Sequence, residues 1–156
     1  PKLSYLLPNM NKRFQDRGER LSDFGGYRIV ACPQCERPID LRDFRLSCLH
    51  CGYNRQLEHA NTWFEFFIKN EQLNLVDYLQ IPCCGETFWA MNLEHLLFLE
   101  SYIAADLRSR TPNINQSQVS RLPQWIKSAK NRKALLQCIQ QLKRKLVEEK
   151  YQKRGG

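Results

Sequence analysis

With 156 residues, 42% of them hydrophobic, the chain is long enough to bury a core in one compact domain or a small module, and it has no apolar run near the roughly 20 residues that span a bilayer. Its formal charge of +8 lies at one end, since residues 121–156 hold eleven Lys or Arg against two Glu while residues 1–120 sum to −1. Seven cysteines, four of them in two Cys-x-x-Cys pairs, indicate metal ligation over a disulfide framework; with no secretory pattern at Pro1-Lys2-Leu3-Ser4, a reducing, cytoplasmic setting and no membrane contact are expected.

Residues 1–26 are polar, carry Lys12, Arg13, Arg17 and Arg20, and end in Asp23-Phe24-Gly25-Gly26, which reads as a loosely structured lead-in closed by a turn. Two short β-prone runs, at 27–31 and 44–46, each lead into one cysteine pair. The aromatic block of Trp63, Phe64, Phe66 and Phe67 reads as a buried sheet or helix face, with stacking platforms for nucleobases as the alternative. Residues 73–81 and 87–90 read as two strands around a turn near Gly85.

Asn92 is a good N-cap for a helix whose apolar positions Leu93, Leu96, Leu97, Ile103 and Leu107 follow helical spacing, and Thr111-Pro112 is expected to stop it. A polar linker follows at 111–120. Pro123 then opens a short helix through Trp125 and Ile126, and Asn131 caps a longer one. In that last helix Leu135, Ile139, Leu142 and Leu146 fall within about 60° of one another at about 100° per residue, a narrow stripe made to pack on the body. The expected fold class is therefore α+β: short antiparallel strands around the paired cysteines at 27–56, a β-hairpin plus helix at 57–110, and basic C-terminal helices at 121–152.

Cys32-Pro33-Gln34-Cys35 and Cys48-Leu49-His50-Cys51-Gly52 offer four thiolates in two close pairs. Zinc takes four such ligands in a tetrahedron at about 2.3 Å, and a two-residue spacer lets both sulfurs of a pair converge from one tight turn. With all four positions filled by Cys32, Cys35, Cys48 and Cys51, no place is left for a reacting water, so one structural Zn2+ is expected. His50 reads as a spacer residue. Gly52 permits the positive φ that the second turn needs, whereas Glu36 stands at the equivalent place in the first. Cys83, Cys84 and Cys138 are read as packing residues and His95 as a hydrogen-bonded histidine near a helix cap; a second metal site or a Cys-His nucleophile drawn from them and His59 is the lesser reading.

Residues 27–56 resemble a zinc ribbon. Together with Ile81-Pro82-Cys83-Cys84-Gly85 and Ser120-Arg121-Leu122-Pro123-Gln124-Trp125-Ile126-Lys127, they resemble bacterial transcription factor IIB type zinc-ribbon-containing proteins. The resemblance implies zinc and suggests nucleic-acid machinery.

No phosphate-binding glycine loop or paired acidic spacing is present, so a non-catalytic protein is expected. The leading functional reading is contact with nucleic acid, DNA favoured, through Lys127, Lys130, Lys133, Arg144 and Lys145, whose cations suit counterion release from a phosphate backbone. Such a protein could also be a subunit of a larger nucleic-acid-processing complex. The alternative is a zinc-stabilised adaptor that docks to another protein without touching nucleic acid; the net charge of −4 over residues 31–120 would suit a basic partner.

Overall fold

The computed structural model describes residues 4–110 and 117–151. Strand β1 (Arg13–Asp16) pairs in parallel with β8 (Leu107–Arg110), Arg13 opposite Leu107. Side chains alternate across a strand, so β1 turns Phe14 and Asp16 inward. The lead-in is thus anchored, contrary to the loose segment expected there. Ser117 completes the anchor by donating its hydroxyl to Asp16 Oδ2 at 2.6 Å.

Strands β2 (Arg28–Ala31) and β3 (Pro38–Leu41) pair antiparallel, as do β4 (Arg45–Ser47) and β5 (Asn54–Gln56). Strand β2 serves two cores because of its alternation. Ile29 enters the main core with Leu79, Phe88, Leu96 and Leu135, whereas Val30 enters a second core with Cys32, Leu46 and Cys48. Helix α1 (Trp63–Lys69), capped by Thr62 Oγ1 accepting from the Glu65 amide, contributes Phe66 to that second core. The aromatic block is therefore a helix with one fully buried ring, and it exposes Phe64 and Ile68.

Residues 71–73 form one 3-10 turn and Asn74 is left-handed at φ 47°, so the strand expected at 73–81 begins only at β6 (Gln80–Cys83). Strand β6 pairs antiparallel with β7 (Glu86–Trp89). The two residues between them, Cys84 and Gly85, both have positive φ, 55° and 78°, as a tight two-residue hairpin turn requires.

Helix α2 (Leu93–Ala104) starts as its cap foretells: Asn92 Oδ1 accepts from the His95 amide at 2.9 Å. The same side chain donates to the carbonyls of Phe24 and Tyr27, tying down the glycine turn before β2. Leu107, expected in this helix, lies outside it. The chain turns extended at Ala105, where the amides of Asp106 and Leu107 donate to the Lys12 carbonyl, and Leu107 begins β8, 60% exposed. Strand pairing wins over helical spacing here. The expected stop at Thr111-Pro112 and residues 111–116 of the linker lie outside the described residues.

Pro123 stands just before the short helix α3 (Gln124–Lys127). Asn131 does not cap with its side chain as expected; it closes a 3-10 turn and its side-chain amide donates to the Trp125 carbonyl at 2.9 Å. Helix α4 (Arg132–Tyr151) follows, with Leu135, Ile139, Leu142 and Leu146 all buried against β6 and α2. The fold is α+β, with short antiparallel pairs, the cysteine cluster in the N-terminal part and helices at the C-terminal end.

Candidate metal centre

Each cysteine pair sits at the end of a strand and is closed by its own backbone. The Cys32 amide donates to the Arg37 carbonyl at 2.8 Å, and the Cys48 amide to the Tyr53 carbonyl at 2.7 Å. Glu36 and Gly52 then fold back, their amides donating to the Cys32 and Cys48 carbonyls, both at 2.9 Å. That fold requires positive φ, which both residues adopt, 63° at Glu36 and 81° at Gly52. The two turns face one another, so Cys32 Sγ lies 3.7 Å from Cys51 Sγ and Cys35 Sγ lies 3.6 Å from Cys48 Sγ.

All four sulfurs fall within 4.8 Å of one another. A tetrahedron with metal–sulfur bonds of about 2.3 Å has edges of about 3.8 Å, so the cluster already has the dimensions of a four-thiolate site. Its donor set fits the expected ion. The Gln34 amide points at Cys32 Sγ from 3.4 Å. Burial pushes the Cys35 thiol up to about 12. At Cys48 burial acts in the same direction but is outweighed by the amides of Cys51 and His50, which leave it lowered to about 7. Four sulfurs this close repel as thiolates, and a cation among them would remove that penalty. His50, the spacer between Cys48 and Cys51, is exposed and belongs to no candidate ligand group among the described residues.

The basic candidates lie apart from this cluster. Lys130, Lys133 and Arg144 are exposed and pair with no carboxylate among the described residues. Lys127 is half-buried, its ammonium 3.4 Å from the Ser120 carbonyl. Lys145 Nζ donates to the Tyr78 carbonyl at 3.2 Å and stands 4.2 Å over the Tyr78 ring, so its charge is already engaged.

Two polar features escaped the sequence reading, whereas His95, expected as a hydrogen-bonded histidine near a helix cap, is found as one. Arg28 on β2 is buried between the two cores, bidentate to Asp77 at 2.7 and 2.8 Å and ringed by Trp63, Phe67 and Trp89 at 5.0–5.4 Å. Lys143 on α4 and Glu100 on α2 form a fully buried ion pair. Glu100 follows Leu96 by four residues and precedes Ile103 by three, so its place on the apolar face was readable as a signal of a buried partner. His95 is 1% exposed, stacked on Phe24, with Nδ1 accepting from the Met91 amide; burial and then the nearby Arg28 charge lower it to about 4.

No protein-family model matches the chain, no curated protein is significantly similar to it, and no solved structure matches it.

Proposed function

We propose that the protein binds one structural zinc ion through Cys32, Cys35, Cys48 and Cys51 and contacts nucleic acid, DNA in the first instance, through the outer face of its C-terminal helices. The four-sulfur cluster supports the metal, and its thiolate set and closed coordination favour zinc in a structural role. The nucleic-acid reading is supported by the exposed, unpaired state of Lys130, Lys133 and Arg144 among the described residues. On α4, Lys133 and Arg144 fall within about 20° of one another at about 100° per residue, opposite the buried leucine stripe, so both project away from the body. A phosphate backbone laid there releases counterions without breaking any internal ion pair. The resemblance to bacterial transcription factor IIB type zinc-ribbon-containing proteins points the same way.

A second reading is favoured by one observation. Phe64 is 78% exposed and Ile68 lies four residues on, giving α1 an apolar outer side that suits docking to another protein. Salt titrations of duplex DNA binding separate the two. Wild-type protein should bind with a log–log slope of about −0.9 per phosphate contact. Replacing Lys130, Lys133 and Arg144 together by Gln should lower affinity and flatten that slope while folding is kept. Absence of binding at low ionic strength, or an unchanged slope in the triple variant, transfers the lead to protein docking.

A further inference from the structure

Three cysteines outside the metal centre meet where β6 packs on α4. Cys83, at the end of β6, is buried; Cys138, in the middle of α4, is half-buried; Cys84, in the hairpin turn, is exposed. Cys83 Sγ lies 3.9 Å from Cys84 Sγ but only 2.7 Å from Cys138 Sγ.

The metal centre supplies the scale for judging that separation. Sulfurs placed to share an ion stand 3.6 and 3.7 Å apart there, close to the edge of about 3.8 Å that a tetrahedral thiolate site needs. At 2.7 Å, Cys83 and Cys138 are far too close for two ligands of one ion, and they are within a small shift of a sulfur–sulfur bond of about 2.05 Å. We propose that Cys83 and Cys138 form a reversible disulfide that ties the β6–β7 hairpin to α4, with a low-molecular-weight disulfide as the oxidant. Nothing in this assignment depends on the nucleic-acid reading.

The chemistry follows from access. Burial and the neighbouring Cys138 and Cys84 thiols hold the Cys83 thiol well above its ordinary range, so Cys138, which solvent reaches, meets the oxidant. The Cys138 thiolate attacks one sulfur of R–S–S–R, forming a mixed disulfide and releasing RS⁻. Cys83 then attacks the Cys138 sulfur and displaces the second RS⁻, and the two thiol protons pass to the two released thiolates. Two protein thiols and one R–S–S–R become one protein disulfide and two R–SH. External thiol reverses it.

The test treats zinc-loaded, full-length protein with oxidised glutathione and maps the products by mass spectrometry. Wild-type protein should lose two hydrogens, yield one fragment joining the Cys83 and Cys138 peptides, keep its zinc, and unfold roughly 5–10 °C higher. Cys84→Ser should behave the same way. Cys83→Ser should stop at the mixed disulfide, gaining one glutathionyl group on Cys138; Cys138→Ser, at the more tolerant half-buried position, should form no internal bond. Wild-type protein that loses no hydrogens, a bond that persists in Cys138→Ser, or a bond that maps to Cys84 would overturn the proposal.

Discussion

Glu36 and Gly52 hold equivalent positions after the two cysteine pairs, and both sit in the left-handed region. For a residue with a side chain that conformation costs about 1 kcal/mol, and glycine avoids the cost. Open space surrounds Gly52, so a methyl group there meets nothing and only the backbone resists it. Glu36→Gly is therefore expected to raise the stability of the zinc-loaded protein by up to about 1 kcal/mol, and Gly52→Ala to lower it by a similar amount. Denaturant midpoints check both signs. His95 gives a second test at this scale. Its folded value of about 4 lies below the unfolded value of about 6.5, so folding disfavours its proton. The stability it contributes is present above about pH 6.5 and is lost as pH falls toward 4, about 3 kcal/mol in all. Stability measured across that window should fall more steeply in wild type than in His95→Gln. Equal slopes would show that the histidine ring is protonated in the folded state.

Helices α2 and α4 are joined by an apolar seam with one ion pair, Lys143–Glu100, inside it. Lys143→Met alone should cost about 3–5 kcal/mol, because it strands a buried carboxylate, while Lys143→Met with Glu100→Leu should recover most of that loss. Unfolding of the two variants side by side makes the comparison. A single variant as stable as wild type would mean that the carboxylate reaches water. The elements legible in the sequence are those written in local terms: the Asn92 cap, the leucine stripe of α4 and the two cysteine turns each lie within one segment. The parallel β1–β8 pair was not legible, since Arg13 and Leu107 meet across most of the chain and neither strand has a distinctive pattern. Leu107 has helical spacing, and only the distant Lys12 carbonyl decides that it becomes a strand. The ion pair was half legible, because two charged residues flank apolar stripes while nothing in sequence pairs one with the other.

At the scale of the whole molecule, two cores share β2, and Arg28 with Asp77 closes the seam between them. The second core holds Cys32 and Cys48 together with Leu57, Ala60 and Phe66, so an ion held by the four cysteines would support a unit that extends beyond the cysteine turns into α1. The main core contains no member of the four-cysteine cluster and has the long helix as its base. Loss of the ion should therefore unfold one part and spare the other. That the four thiols meet in one cluster was legible from spacing alone. That Phe66 belongs to their core was not, because an aromatic run fits a helix, a strand or a stacking surface equally well.

The most direct measurement is native mass spectrometry of full-length protein purified without chelator, combined with hydrogen exchange before and after metal removal. The expected result is one zinc per chain in wild type, none in Cys48→Ser, and exchange protection lost after removal over residues 28–56 and α1 but kept in α4. A metal-free chain with residues 28–56 fully protected, or a full equivalent of zinc retained in Cys48→Ser, would contradict the four-cysteine site as the centre on which this part of the molecule folds.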